Sequence, residues 1–250
     1  MKLVILAGGY GTRLSEETKI KPKPLVKIGN RPIIWHIMKF YSYYGINSFI
    51  ICLGYNGNIL IKELKKFTSK ESWNIRFVQT GLKTMTGGRI KKIEKFVSDE
   101  ENFCLSYGDG LSDVDIKKLI NFHKKNKKMA TLTAVRYKNP KGVLVLSNNS
   151  KVRKIKEKPV EYINGGFFVL SKRIFKFLRD SKTVFERDCL PKLTKRKELI
   201  AFKHNGFWAC MDTLREKKEL NKIFKSKEKA WKVRVRLEFI PTSGFRGDPG

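Results

Sequence analysis

Short apolar runs alternate along this chain with longer segments in which apolar residues recur every three to four positions. The runs at 2–7, 47–53, 74–79, 102–107 and 129–136 have the length and composition of buried strands. Segments 32–44, 57–66, 87–98, 113–125, 171–179, 183–195 and 212–228 carry the period of amphipathic helices. Strand-then-helix alternation predicts an α/β fold, a Rossmann-like mixed, mainly parallel sheet flanked by helices on both faces. Beyond residue 137 the rhythm changes. Short β runs at 142–147, 151–157, 161–170 and 198–203 predict a small antiparallel β portion in the C-terminal half. Residues 234–250 lack this periodicity and read as an appended or frame-shifted tail outside the fold.

In open α/β sheets ligands gather at the carboxyl ends of the strands, and here those ends are chemically loaded. The first strand opens into Ala7-Gly8-Gly9-Tyr10-Gly11-Thr12-Arg13, followed by Lys21-Pro22-Lys23-Pro24-Leu25. Glycines let backbone N–H groups cup an anion, and Arg13 and Lys23 add fixed positive charge. Together they predict a nucleoside triphosphate site. A P-loop is excluded, because Gly11 precedes Thr12-Arg13 and not Lys-Ser/Thr. A dinucleotide fingerprint is excluded, because Leu14 stands where a third glycine is needed. Asp109, between Gly108 and Gly110 just past the strand 102–107, suits Mg2+, which takes one or two carboxylates plus phosphate oxygens. The structural alternative is an Asp-Gly turn. Gly87 and Gly88 start a predicted helix, where N–H groups are free donors for a carbonyl of a base.

Charge adds a second candidate class. Lys and Arg number 54 against 23 acidic residues, a net +31 over 250 residues. Nucleic-acid or membrane-surface binding is one reading. The basic residues are spread over the whole length without an aromatic-interleaved patch, which favours a lysine-rich solvated surface that also attracts anionic substrates. No apolar run reaches the ~18 residues of a membrane span. The N-terminus enters a strand without a secretory pattern, so a cytoplasmic location is expected. Cys52, Cys104, Cys189 and Cys210 are scattered without zinc spacing and read as reduced, mostly buried thiols. His36, His123 and His204 form no triad or metal spacing, and His36 and His123 lie on helical patterns as structural residues.

The string Leu6-Ala7-Gly8-Gly9-Tyr10-Gly11-Thr12-Arg13-Leu14 with the downstream Lys21-Pro22-Lys23-Pro24-Leu25 resembles the signature of the sugar-nucleotide pyrophosphorylases, nucleotidyltransferases that act on sugar 1-phosphates. Trp35-His36-Ile37-Met38, Thr80-Gly81, Met85-Thr86-Gly87-Gly88-Arg89, Tyr107-Gly108-Asp109-Gly110, Asn164-Gly165-Gly166-Phe167-Phe168-Val169, Gly206-Phe207-Trp208 and Met211-Asp212-Thr213-Leu214 extend it to about Trp231. Within the family the pattern is most similar to the cytidylyltransferases that act on glucose 1-phosphate. The resemblance implies a glycosyltransferase-A-like nucleotidyltransferase fold in one domain, 1–233. Residues 1–136 would form the nucleotide-binding half and 137–233 the sugar-phosphate half.

The implied reaction is attack of a sugar 1-phosphate oxygen on the α-phosphorus of a triphosphate. The nucleophile is already an anion, so positioning and electrostatics carry the catalysis. By the resemblance Arg13, Lys23 and Asp109 are catalytic, with Arg13 and Lys23 gripping the triphosphate and Lys23 offsetting charge at the α-phosphate. Leu6, Ala7, Gly8, Gly9, Gly11, Thr12 and Gly108 complete the nucleotide site, and Thr80, Gly81, Thr86, Gly87 and Gly88 form the base pocket. Arg89 beside them reads either as a pocket residue or as a solvated helix arginine. Asp212 becomes the second Mg2+ ligand with Asp109, its structural alternative being a helix N-cap. Lys158 would bind the sugar phosphate and Glu157 the sugar hydroxyls, with Gly142, Asn164, Gly165 and Trp208 lining the same pocket.

Two departures stand out. The segment between Lys66 and Trp73 is shorter than in the cytidylyltransferases, where it contributes oligomer contacts near the nucleotide, and Lys141 stands beside Gly142 where the family often has an aromatic residue. The expected substrates are CTP and glucose 1-phosphate, with Mg2+ as cofactor and a homo-oligomer as the working form, in surface-polysaccharide or dideoxysugar synthesis. Alternatives are another triphosphate or sugar phosphate, a non-catalytic sugar-nucleotide-binding regulator, and a basic nucleic-acid binder.

Overall fold

The first apolar run forms β1 (Leu3–Leu6), followed by a short hairpin of β2 (Lys27–Ile28) and β3 (Arg31–Pro32) and then α1 (Ile33–Tyr43). The alternation continues through β4 (Ser48–Leu53), α2 (Gly57–Thr68), β5 (Asn74–Gln79) and α3 (Thr86–Lys92). Next come β6 (Asn102–Tyr107), β7 (Gly110–Ser112), α4 (Ile116–Asn126) and β8 (Ala130–Lys138). The remainder consists of β9 (Val143–Leu146), β10 (Val152–Lys156), β11 (Val160–Ser171), α5 (Leu190–Lys195), β12 (Leu199–His204), β13 (Trp208–Cys210) and α6 (Leu214–Lys225). This computed structural model describes residues 1–14, 18, 21–139, 141–226 and 231. The unusual segment 234–250 therefore lies outside the described residues.

Seven strands form one sheet in the order β12-β8-β11-β6-β1-β4-β5. β11 runs antiparallel to both its neighbours, and the other pairings are parallel. β1 is central, with Leu3 opposite both Phe49 and Cys104, and its unbroken Leu-Val-Ile-Leu follows from burial on both faces. Alternate side chains supply two cores. Leu3 and Ile5 pack with α1, α2, α4 and α6, whereas Val4, Phe103 and Leu105 pack with α3, α5 and the segment between β11 and α5.

The C-terminal β runs divide differently from expectation. β11 inserts between β6 and β8, and β12 pairs at the edge, so both join the main sheet. The β9–β10 hairpin stands apart. The helix expected at 87–98 ends at Lys92, with a 3-10 turn over Glu94–Phe96 after it. The one expected from residue 113 starts at Ile116, because the Asp115 carboxylate caps it by accepting the Lys118 N–H at 2.8 Å. β7 and β13, each three residues long, pair antiparallel with Trp208 opposite Ser112 and Cys210 opposite Gly110. Neither strand is legible in the sequence, yet their pairing sets two distant turns side by side.

Cys52, Cys104 and Cys189 are buried thiols, and burial pushes each up to about 12, so they are inert packing residues. His36 is buried and donates from Nε2 to the Ile28 carbonyl at 2.9 Å. His123 is buried on α4, where Nε2 meets the Asn102 Oδ1 at 2.9 Å and Nδ1 meets the Thr131 hydroxyl at 2.8 Å. An amide oxygen only accepts, so the proton is assigned to Nε2 and Nδ1 accepts from Thr131. Burial, aided by Arg173, lowers the pKa of His123 to about 4 from 6.5. The unfolded chain therefore binds a proton that the folded chain refuses. Stability should be flat above pH 6.5 and fall as the pH drops toward 4, by about 3 kcal/mol in the limit. Urea denaturation of His123→Gln from pH 4 to 7 should show a shallower slope than the parent; an unchanged slope would place the pH dependence elsewhere.

Candidate active site

β1 ends at the centre of the sheet and the chain turns through Ala7, Gly8 and Gly9 (β1 and β4 remain joined by the Ala7 N–H to the Cys52 carbonyl at 3.1 Å). Beneath this turn lies Arg89, buried on α3. Its Nη1 donates to the Leu53 carbonyl at 2.9 Å and the Thr80 hydroxyl at 2.5 Å, and its Nη2 donates to the Gly8 carbonyl at 2.9 Å. A Cβ at Gly8 would overlap this guanidinium, so the glycine makes room for the arginine. Burial lowers the Arg89 pKa. Arg89 is thus neither a solvated helix arginine nor ion-paired through these three bonds; it ties α3 to the ends of β1, β4 and β5. Thr80 is fully buried, its hydroxyl donating to Leu53 and accepting from Arg89, and forms the floor of this region.

Gly9 borders open space, with nothing within 4 Å of where a Cβ would lie, and Thr12 is exposed on the turn Thr12–Leu14. Leu6 is half-buried at the end of β1. Gly11 has a φ of +68°, and its carbonyl accepts from the Leu14 N–H at 3.0 Å and the Thr18 hydroxyl at 2.9 Å. The Arg13 side chain lies outside the described residues.

Gly88, beside Gly87, corrects an expectation. Both are buried against the loop 180–185, where a Cβ on Gly88 would come within 2.6 Å of Ser181 Cα. The Gly88 N–H donates to the Thr183 carbonyl at 3.1 Å, so it is not a free donor for a base. Close helix-to-loop packing explains this glycine. Thr86 is half-buried at the start of α3, and Gly81 is exposed with a φ of +97°.

The most concentrated charge lies across the sheet's carboxyl edge. Pro22 and Pro24 flank Lys23 at the start of a single 3-10 turn, Lys23–Leu25, and Pro24 packs on Gly108. From this turn the Lys23 ammonium reaches Asp109 Oδ2 at 2.5 Å and Asp212 Oδ1 at 2.6 Å, partners 86 and 189 residues away. The Met211 N–H donates to the Asp109 carbonyl at 3.0 Å, a direct consequence of the β7–β13 pairing. Burial works against the ammonium, but the attraction and hydrogen bond of Asp109, joined by Asp212, outweigh it and raise the Lys23 pKa. Asp212 is not the helix cap. Thr213 caps α6 in a reciprocal box with Glu216, leaving the Asp212 carboxylate directed to Lys23.

Among the described side chains of this cluster two carboxylates surround one ammonium, a sum of −1 that is unsuited to a triphosphate. A divalent cation would reverse that sign, and two hard oxygen donors with phosphate oxygens match Mg2+ preferences. Asp109 and Asp212 therefore fit the group. Among the described residues no cluster of three or more His, Cys, Asp and Glu forms an all-protein metal cage.

On the other side of β6, Trp208 Nε1 donates to the Gly165 carbonyl at 2.7 Å, and Asn164 Oδ1 accepts the Gly166 N–H at 2.9 Å. Gly142, Glu157 and Lys158 meet at the base of the β9–β10 hairpin. A Cβ on Gly142 would lie 3.1 Å from Glu157 Oε2, and Lys158 Nζ is 3.9 Å from Glu157 Oε1. Both charged side chains are exposed, and Lys158 has the left-handed φ of 43°. Among the described residues no hydrogen bond joins this trio to the Lys23 cluster. The sequence reading missed Tyr107 and Glu186, whose Oη–Oε1 bond of 2.6 Å links the two sides; no motif spacing marks Glu186.

A nucleotidyl transferase family model matches residues 2–222. Glucose-1-phosphate cytidylyltransferase of Salmonella typhimurium is 44% identical over 256 residues, covering 93% of this chain and 99% of that protein. Mannose-1-phosphate guanyltransferase of Yarrowia lipolytica is 34% identical, covering 83% of this chain and 60% of its own length. Among solved structures, HddC from Yersinia pseudotuberculosis superposes with a TM-score of 0.73 at 28% identity, covering 90% of this chain and 99% of that one. A complex of HddC with GMP-PN superposes at 0.72. The fold, the charged cluster and these similarities define one class: the chain belongs to the nucleotidyl transferase family.

Proposed function

We propose that this enzyme joins CTP and α-D-glucose 1-phosphate to give CDP-glucose and pyrophosphate. The observation that carries the reading is the Lys23–Asp109–Asp212 cluster at the sheet's carboxyl edge beside the glycine turn. The 44% identity to a glucose-1-phosphate cytidylyltransferase over nearly all of both chains supports the choice of base and sugar.

In the reaction an oxygen of the sugar phosphate forms a bond to the α-phosphorus while the bond from that phosphorus to the bridging oxygen breaks and pyrophosphate leaves. No proton must be removed from the nucleophile, which agrees with a cluster of Lys and Asp. The chain's task is to hold two polyanions together and to place positive charge where negative charge accumulates. Lys23 presents a fixed ammonium whose protonation the two carboxylates secure. Asp109 and Asp212 would hold Mg2+, which supplies charge neutralisation at the phosphate oxygens. The glycine turn braced by Arg89 offers the nucleotide a rigid rim, and Asn164, Gly165, Trp208, Glu157 and Lys158 form the proposed sugar-phosphate side.

Pyrophosphate release with Mg2+ and glucose 1-phosphate, measured with CTP, UTP, dTTP, ATP and GTP in parallel, tests this directly. Turnover confined to CTP is expected. Turnover with a different triphosphate would reassign the base, and silence with all five would remove glucose 1-phosphate as the acceptor.

A further inference from the structure

A hydrogen-bonded relay runs beneath the site from the side proposed for the base to the side proposed for the sugar. Glu186 lies half-buried on a wide π-type turn, Phe185–Cys189, just before α5. Such turns are rare and recur at functional positions. Its Oε2 accepts the Thr86 hydroxyl at 2.7 Å, and its Oε1 accepts the Tyr107 hydroxyl at 2.6 Å. The Thr86 oxygen in turn accepts the Phe185 N–H at 2.9 Å, so the polarity of that hydroxyl is fixed. Tyr107 has one proton, and it is directed at the carboxylate. Its oxygen therefore accepts from Asn164 Nδ2 at 3.2 Å, which sends the Asn164 Oδ1 to the Gly166 N–H. Burial, with Glu186 beside it, holds the Tyr107 pKa well above the ordinary phenol value, so it stays a donor.

We infer that Glu186 is a positioning residue that couples the two substrate pockets, holding Thr86 at the start of α3 and, through Tyr107, orienting the Asn164 carboxamide on the sugar side. The inference rests on the assignment of Thr86 to the base side and Asn164 to the sugar side. The carboxylate accepts from both hydroxyls at the centre of the relay, and the Phe185 and Gly166 N–H groups fix its two ends. A glutamine in its place keeps the shape but presents an NH2 to one of the two hydroxyls; where it faces Tyr107, the phenol oxygen meets two competing donors, and Asn164, still held at Oδ1 by the Gly166 N–H, loses its fixed partner. A displacement at one end is transmitted to the other, so each substrate should bind better when the other is present.

Calorimetric titration of α,β-methylene-CTP with Mg2+, and of glucose 1-phosphate, each alone and each with the other present, tests this in the parent, in Glu186→Gln and in Tyr107→Phe. The parent should show mutual tightening. Glu186→Gln should weaken both ligands by about tenfold and abolish the tightening. Tyr107→Phe cuts only one arm; it should weaken glucose 1-phosphate by a similar factor, leave the nucleotide within about twofold, and also lose the tightening. Thermal midpoints taken alongside separate this from a general loss of fold. Parent-like binding in Glu186→Gln, or weakening of one ligand alone, overturns the inference while the proposed function stands. A parent that binds neither ligand overturns the proposed function, and the coupling falls with it.

Discussion

Lys23→Ala is expected to lower kcat by about a hundredfold to a thousandfold, with the affinity for glucose 1-phosphate little changed. The reason lies in where the ammonium sits. It meets both acidic side chains at 2.5 and 2.6 Å, on a turn whose backbone is fixed by prolines at 22 and 24. A charge held this way is placed before the reaction starts and needs no reorganisation during it. Alanine removes that charge and leaves the two carboxylates facing each other. Divalent cation should then bind more tightly to the variant, because the competing ammonium is gone, while turnover collapses. Rapid-quench rates and metal titrations read by thermal shift check the two halves separately. Near-parental turnover would remove Lys23 from the chemistry. A variant that loses both turnover and cation-induced stabilisation would have lost the architecture of the cluster.

Asp109→Asn should produce the second largest loss, through the metal. One of two carboxylates becomes neutral, so the Mg2+ concentration for half-maximal rate should rise by about tenfold or more, and excess metal should recover part of the rate. The same change acts on Lys23. Asp109 contributes the largest of the influences that raise the Lys23 pKa, and burial opposes them. A lysine whose folded pKa is raised contributes stability in full below the ordinary lysine pKa, and that stability is lost as the pH rises through the folded value. Measured without divalent cation, the parent should therefore keep its Lys23-dependent stability to the top of the ordinary lysine range, and Asp109→Asn should bring that alkaline limb down. An unaltered metal dependence together with an unmoved alkaline limb would dismiss Asp109 as a ligand.

How much of this was written in the sequence differs from element to element. β1, β4 and β6 are continuous apolar runs buried on both faces, a pattern that local composition determines, and their bounds agree with expectation to within a residue. The glycine turn, Lys23 and Asp109 were legible through residue type and spacing and Asp212 only through the family resemblance, and the structure brings the last three together. What escaped depends on partners distant in sequence. β7 and β13 are too short to carry an alternation and exist because they pair with each other. Arg89 reads either as a pocket residue or as a solvated one until Gly8 and Gly54, which leave it room, are brought against α3. The Gly88 N–H would be free at an isolated helix start, but the loop 180–185 occupies it. The capping of α6 was available from Thr213 and Glu216 three residues apart, the spacing of a capping box, and would have released Asp212 from a structural role.

The span of the central cluster has a consequence for biogenesis. Lys23 draws one partner from 86 residues downstream and the other from 189. During synthesis the glycine turn and the lysine leave the ribosome early, whereas the second carboxylate follows only after the main sheet has been translated. Contacts of such sequence separation form late, since loop closure must be offset by packing already in place. A nascent chain released before residue 212 would carry the nucleotide rim with Lys23 and Asp109 but lack the second carboxylate. The Lys23 cluster is thereby completed only once the last strand pairing, β7 with β13, is made.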